Sequence, residues 1–334
     1  MEDAKGIAVP TVARNKVLIV SHKFDPHADY MVALLEKMGI GCLRWILGSF
    51  PAESRFSLET TLRGFEGELE TIGWRADLSS IRSVWYRHPS RPQFEKELSP
   101  AELQFAEGEA RAAFTGLSYA YPWFWVNHPG NVAVADSKIL QLKVANELGL
   151  RIPRTLVTND PVKLRQFFQS TDGNMIYKPF NSGFFGGTQK ICYTTPIGAQ
   201  ELECGELIRT TPGIFQENIR KKLELRVTVI GRKVFAVEIH TQDSKEAKYD
   251  WREADLDDLP HVPHTLPVEI ERRCLAFLDR FSLVFGAMDL ILTTEGEYIF
   301  LENNPRGQFG WIEARTDMPL TITLAKMLVE GRVV

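Results

Sequence analysis

Four cysteines are all that 334 residues contain, and Cys42, Cys192, Cys204 and Cys274 stand far apart. No CxxC pair and no Cys/His ligand spacing occurs, so neither a zinc site nor a disulfide framework is indicated. The thiols read as reduced packing residues. No apolar run approaches the ~18 residues of a membrane span. The opening MEDAKGIAVPTVARNK has no apolar segment behind a basic start. A cytoplasmic chain with no membrane partner is expected. Positive charge is not in excess either: 39 Lys+Arg against 43 Asp+Glu leave a net charge of −4. That balance provides no broad field for nucleic acid, so a phosphate ligand must be met by a local cluster. No Ser/His/Asp or Cys/His arrangement marks a covalent enzyme intermediate.

What is present is an ordinary folded composition, 44% hydrophobic and 25% charged. At roughly 100–200 residues per domain the length predicts two or three lobes. Residues 1–15 read as a disordered tail. Val17, Leu18, Ile19 and Val20 make a short buried strand, followed by a helix over 28–38 with Gly39 as its stop and a second strand over 42–46. Another strand covers 81–87. An aromatic run over 119–125, read as core between lobes, ends in the turn Asn127-His128-Pro129-Gly130. A boundary there gives an N-terminal lobe over 16–130, a central lobe over 131–213 and a C-terminal lobe over 214–334.

In the central lobe Asn131 is the expected N-cap of a helix reaching Leu148, with Ile139, Leu142, Val144 and Leu148 as its apolar stripe. Strands are expected at 155–158, 175–178 and 190–193, and a helix at Pro161. Between the last two strands lies Asn181-Ser182-Gly183-Phe184-Phe185-Gly186-Gly187-Thr188, a glycine-rich segment expected to be mobile. The C-terminal lobe reads as strands near 213–219, 224–230 and 233–241, a helix over 267–285, a hairpin over 287–302 and a closing helix over 319–330.

The sharpest local signal is AMDLILTTEGEYIFLENNP, residues 287–305, two β-rich runs around Gly296. A turn centred between Glu295 and Gly296 sets Asp289 opposite Glu302. Like charges opposed across a sheet destabilise it, so a cation is expected between them. Asn304 presents a third oxygen on the same side, because side chains alternate with period two. Oxygen donors of this kind suit Mg²⁺ or Mn²⁺, completed by water and nucleotide phosphates. Lys138 and Lys178 are the candidate phosphate partners, Lys178 standing just before Pro179 and the glycines. The glycine segment lacks a Gly-Lys-Ser/Thr ending and is not a P-loop. Arg226 alternates with Leu225 and Val227 and so shares a polar strand face with Glu224 and Thr228. Glu238, His240 and Gln242 alternate on a neighbouring strand, ahead of an acid-rich loop.

The order Lys138, Lys178-Pro179, glycine segment, Gln216-Glu217-Asn218-Ile219, Glu224-Leu225-Arg226, Asp289, Glu302-Asn303-Asn304-Pro305 resembles the ATP-grasp superfamily. Within it, Asp25-Pro26-His27-Ala28-Asp29, Val84-Trp85-Tyr86-Arg87-His88-Pro89, Asp250-Trp251-Arg252 and the run Asn304-Pro305-Arg306-Gly307-Gln308-Phe309-Gly310-Trp311 look like the graspetide, or microviridin-type, peptide macrocyclases. His88 departs from that pattern, where a second arginine is associated with the family. The resemblance implies an α/β ATP-grasp fold of three lobes, with the nucleotide between the central and C-terminal ones. It implies that Lys138, Lys178, Gly186 and Gly187 hold phosphates, that the main chain of Gln216, Glu217, Asn218 and Ile219 binds adenine along an open strand edge, and that Glu224 accepts the ribose hydroxyls. Asp289, Glu302 and Asn304 would ligate two Mg²⁺ ions, with Mn²⁺ the alternative, and Arg226 would stabilise the transferring phosphoryl group.

The implied reaction is ATP-dependent macrocyclisation of a ribosomally made precursor peptide, leader plus core, by a homodimeric ADP-forming ligase. Asp or Glu side chains become acyl phosphates and are captured by Ser/Thr hydroxyls or a Lys amine. Asp250, Arg252, Glu238 and His240 are the candidate peptide-binding residues. Two alternatives stay open: an amino-acid ligase of the glutamate-adding type, and a nucleotide-binding regulatory protein without turnover.

Overall fold

The computed structural model describes residues 15–62, 64–180, 193–203, 205–243 and 259–334. The tail, the glycine segment with Gly186 and Gly187, and the loop with Asp250 and Arg252 lie outside the described residues.

β1 (Lys16–Ser21) is an apolar run buried on both faces, as a parallel sheet requires. α1 (Pro26–Lys37) begins where the Asp25 carboxylate accepts from the N–H groups of His27 and Ala28. β2 (Cys42–Ile46) returns parallel to β1. An antiparallel meander follows, β3 (Ser54–Thr61), β4 (Gly64–Thr71) and β5 (Trp74–Asp77). β6 (Ile81–Tyr86), α2 (Pro100–Ala120) and β7 (Phe124–Val126) complete a parallel sheet in the order β2-β1-β6-β7. The sequence reading leaves the meander and α2 out. β3 and β4 carry exposed Glu and Thr in place of aliphatics, and α2 leaves Leu103 and Phe105 in solvent. Tyr121 and Trp123 pack with Trp45, Leu78 and Phe114 inside this lobe, so these two rings belong to its own core, while Phe124 packs at the seam with the cluster of Ile230, Phe285 and Leu324.

The single helix expected over 131–148 is two, α3 (Pro129–Ala135) capped by His128 and α4 (Lys138–Glu147) capped by Ser137. The break sets Lys138 at the first position of a helix. α4 buries Gln141, Leu142, Val144 and Ala145, whereas Ile139 is 53% exposed. A polar residue on the buried face is what misleads the stripe.

β8 (Thr155–Thr158), α5 (Pro161–Ser170), β9 (Met175–Lys178), β10 (Thr195–Ile197), a short α6 (Ala199–Glu203) and β11 (Gly213–Glu217) build a second, antiparallel sheet in the order β10-β9-β11-β8. Of the strand expected at 190–193, residues 190–192 lie outside the described residues, and the described strand beyond it is β10. α5 covers one face of this sheet through Leu164 against Met175 and Phe215.

The largest sheet is five-stranded. It consists of β12 (Lys221–Ile230), β13 (Lys233–Ile239), β14 (His261–His264) and, after α7 (Val268–Arg280), β15 (Phe285–Thr293) and β16 (Tyr298–Asn304). Its order is β14-β13-β12-β15-β16. α8 (Gly310–Thr316) and α9 (Leu320–Glu330) close the chain. One face presses Leu223, Leu225, Val227, Met288, Leu290 and Phe300 onto α4 and α7, at about 1.5–3 kcal/mol for each large side chain buried. On the other face one end is wholly apolar, where Ile230 and Phe285 join Ile19, Met31 and Leu324. The rest of that face is mixed, with Val237, Ile239, Ile291 and Ile299 buried among Glu224, Arg226, Thr228, Asp289 and Glu302. Among the described residues no helix is long and apolar enough to cross a membrane.

Candidate active site

The polar face is assembled by two β-bulges. Near the hairpin tip the ladder pairs Leu292 with Tyr298, Ile291 with Ile299 and Leu290 with Phe300, and then Asp289 with Glu302. Leu301 is therefore an extra residue on β16. A bulge shifts the alternation by one, and here it brings Glu302 to the side of Asp289; without it Leu301 would stand there. At the other end Lys221 pairs with Thr293 and Leu223 with Leu292, so Lys222 is extra on β12. That second bulge turns Lys221 to the side of Glu224.

Across the strands the face then reads in rows. Arg226 stands opposite Asp289 and Asp289 opposite Glu302, while Thr228, Ala287 and Asn304 form the adjoining row. Each carboxylate already has a cation. Arg226 Nη1 donates to Asp289 Oδ1 at 2.8 Å, and Lys138 Nζ donates to Glu302 Oε2 at 2.5 Å from the start of α4. Lys221 donates to Glu224, both of them buried to within a tenth of full burial. The Oγ1 of Thr228 is buried and has no hydrogen-bond partner among the described residues. Such an orphaned hydroxyl, beside two carboxylates and an amide that are all hard oxygen donors, fits a divalent cation with phosphate oxygens.

On the second sheet Lys178 pairs with Ile214 and Ile176 with Gln216, so Lys178 and Gln216 share the face that α5 does not cover. The Oε1 of Gln216 is buried without a partner among the described residues. The open strand edge expected at 216–219 is a point of correction. β11 is flanked by β9 and β8, the Glu217 N–H donates to the Arg154 carbonyl, and the Asn218 N–H donates to the Asn174 carbonyl, each at 3.0 Å. Gln216 and Glu217 are ladder residues, and a free edge can begin only at Ile219.

Glu238 and His240 are not brought to the polar face. Glu238 stands opposite Leu225, which assigns it to the other side of the sheet, and β13 ends at Ile239, before His240. The Glu238 carboxylate meets both His240 Nε2, at 2.9 Å, and His264 Nδ1, at 2.7 Å, and His264 Nε2 reaches the Tyr298 hydroxyl at 2.9 Å. β14 and β16 are opposite edges of the sheet, so the His264–Tyr298 bond ties one edge to the other. Burial raises the Glu238 carboxyl, but the hydrogen bonds from His264 and His240 outweigh it and hold the group below its usual range.

Sequence reasoning misses Lys221, Gln141 and Asn127. Gln141 Nε2 donates to the Asn303 carbonyl at 2.9 Å and its Oε1 accepts the Asn303 N–H at 2.7 Å, so a carboxamide pairs with the outer edge of β16 between Glu302 and Asn304. The only cue was its position one helical turn after Lys138 on a buried face. Asn127 sits in what composition reads as a turn, and Lys221 is hidden by the bulge.

The profile of the MvdD pre-ATP grasp domain matches residues 16–133. Macrocyclase MdnC of Microcystis aeruginosa MRC, solved with precursor peptide MdnA, is 31% identical with a TM-score of 0.84, over 94% of this chain and 99% of that one. A RiPP-associated ATP-grasp ligase of Chryseobacterium gregarium, solved with ADP and a leader and core peptide, is 30% identical with a TM-score of 0.87, over 95% and 97%. Macrocyclase MdnB of Microcystis aeruginosa MRC is 30% identical with a TM-score of 0.79, over 94% and 99%. Comparison with curated protein sequences finds no match.

Proposed function

The chain belongs to the ATP-grasp ligases that macrocyclise ribosomally made peptides, and from that premise we propose how its own residues divide the work. The observation that carries the assignment is the row Arg226, Asp289, Glu302, flanked by Lys138. Two carboxylates opposed across a hairpin, each facing a cation that can instead take a phosphate, match a site for Mg²⁺ and a nucleotide. Asp289, Glu302 and Asn304 hold the metal, one ion or two, with Mn²⁺ as a substitute. When bound, Mg²⁺ neutralises phosphate charge during phosphoryl transfer. Lys138 and Lys178 bind the phosphates, together with Gly186 and Gly187. Glu224, oriented by Lys221, accepts the ribose hydroxyls, and the chain from Ile219 onward meets adenine beyond Gln216, Glu217 and Asn218.

Arg226 stabilises charge on the phosphoryl group as an Asp or Glu side chain of the peptide becomes an acyl phosphate, with ADP leaving. A Ser or Thr hydroxyl, or a Lys amine, then attacks the acyl carbon and displaces phosphate, closing an ester or amide ring. The complex of the Chryseobacterium gregarium relative with ADP, leader and core peptide supports a leader-bearing precursor as partner. Asp250 and Arg252 are proposed to hold the core peptide. The lobes are those of 16–130, 131–213 and 214–334, the substrate is of microviridin type, and the working form is a cytoplasmic homodimer.

The test is mass spectrometry of the purified protein with ATP, Mg²⁺ and peptides encoded beside its gene. Loss of one water per ring, with matching ADP release, is expected. A gain of one residue mass would replace macrocyclisation with amino-acid ligation, and no ADP release with any peptide would remove catalysis altogether.

A further inference from the structure

The run that leaves the metal hairpin, residues 305–310, is held by side chains from the segment matched by the pre-ATP-grasp profile. Asn127 Nδ2 donates to the carbonyls of Phe285 and Pro305, each at 2.8 Å, while its Oδ1 accepts from the N–H groups of Val284 at 2.8 Å and Phe285 at 3.1 Å. Both donors and the acceptor oxygen of that carboxamide are used, and they join the start of β15 to the chain just past β16. Arg87 Nη1 donates to the carbonyls of Arg306 at 3.2 Å and Gly307 at 3.5 Å, and His88 Nε2 lies 2.9 Å from the same Arg306 carbonyl. His27 Nε2 accepts from the N–H groups of Phe309 at 3.2 Å and Gly310 at 2.8 Å. A carbonyl can only accept and an N–H only donate, so His88 carries its proton on Nε2 and His27 carries its own on Nδ1. Arg87 is itself buried and fixed by Asp25 through contacts of 3.1 and 3.3 Å. The held run touches Asn304, one of the proposed metal ligands, directly, because its Oδ1 accepts the Arg306 N–H at 2.9 Å.

We infer that Asn127, Arg87, His88 and His27 are positioning residues for Glu302 and Asn304. In this role the N-terminal lobe fixes the divalent-metal site by gripping the main chain that follows it. The inference rests on the proposed metal role of those two residues. It also gives a use to the motifs Asp25-Pro26-His27 and Arg87-His88-Pro89, which touch no proposed substrate group. Residues that orient metal ligands from outside the coordination sphere typically change affinity by about 10–100-fold when lost.

The test titrates the full chain with Mn²⁺ in the presence of ADP and follows free Mn²⁺ by electron paramagnetic resonance. His27→Ala and His88→Ala are expected to raise the half-saturating Mn²⁺ roughly tenfold, with kcat recovered at saturating Mg²⁺. His27→Gln and His88→Gln, whose amides can accept or donate as required, should recover most of the affinity. Half-saturation within about twofold of the parent in both Ala variants would overturn the inference while leaving the metal site standing. Absence of ADP-dependent Mn²⁺ binding in the parent would overturn the metal assignment, and this inference with it. Should the Ala variants not fold, hydrogen exchange in the parent decides: Mg²⁺ and ADP must slow the Phe309 and Gly310 amides, and unchanged exchange would defeat the proposal.

Discussion

The two faces of the five-stranded sheet are made by the same strands, yet they obey different rules. On the side of α4 and α7, Leu223, Leu225, Val227, Met288, Leu290 and Phe300 are almost wholly excluded from water. On the opposite side the same strands present Lys221, Glu224, Arg226, Asp289 and Glu302. The first face draws on burial, which is non-directional and tolerates exchange of one aliphatic for another. The second depends on charge pairs whose positions are set one residue at a time. Stability and chemistry are therefore separable on a single sheet, layer by layer, and the separation can be attacked from either side.

The largest effect is expected from the charged layer. Asp289→Asn and Glu302→Gln keep an acceptor oxygen for Arg226 and Lys138 but remove the anionic donor. Each should lower ATP-dependent ring formation by at least ~10²-fold with an unchanged far-ultraviolet circular dichroism spectrum. Normal turnover in both variants would sink the metal assignment. From the apolar layer, Phe300→Ala should cost about 3–5 kcal/mol of unfolding free energy, measured by urea titration, while ring formation by the folded fraction persists. A variant equally damaged in both respects would show that the layers are not independent.

The smallest effect is a pH dependence at the seam with the N-terminal lobe. Burial, followed by the nearby positive charge of Arg87, pushes His27 down to about 4, and burial with Arg87 and Arg306 does the same to His88. Both stay neutral in the folded protein, whereas the unfolded chain takes up their protons below about 6.5. Stability from this source is complete above about 6.5 and is lost as the pH falls toward 4. Melting temperatures across that window should fall less steeply in the double variant His27→Gln, His88→Gln. Parallel slopes would mean that other groups dominate.

How far these layers could be read from sequence depends on the residue. The pairing of Asp289 with Glu302 follows from a turn assumed to centre between Glu295 and Gly296. The observed turn is centred on Glu295, with the Thr293 N–H bonded to the Glu297 carbonyl, so the outer pairs lie in a different register. The bulge at Leu301 then restores the expected pair. The inference reached the right partners through a ladder the protein does not have, because an extra strand residue leaves no mark in composition. Alternation alone was enough for Arg226, Glu224 and Thr228, where β12 is regular. It failed for Glu238, since neither its face nor the end of β13 can be known without the partner strand. The grip of Asn127 and Gln141 on main-chain groups is invisible in principle, being a property of distant backbone rather than of neighbouring letters.

Leu301 has one more consequence, for how freely the hairpin can be rebuilt. Phase is reset between the tip and the carboxylates, so the three pairs outside it act as a handle that carries no chemical information. A foreign loop grafted at 294–296 would leave the reactive end untouched as long as those pairs close. Pulling the bulge flat with every residue kept would leave the handle zipped, set Leu301 opposite Asp289 and turn Glu302 toward the apolar layer beside Met288. Excising Leu301, by contrast, would leave Glu302 opposite Asp289 in an unbroken ladder. The slack taken up at that one position thus decides which layer receives the carboxylate of Glu302.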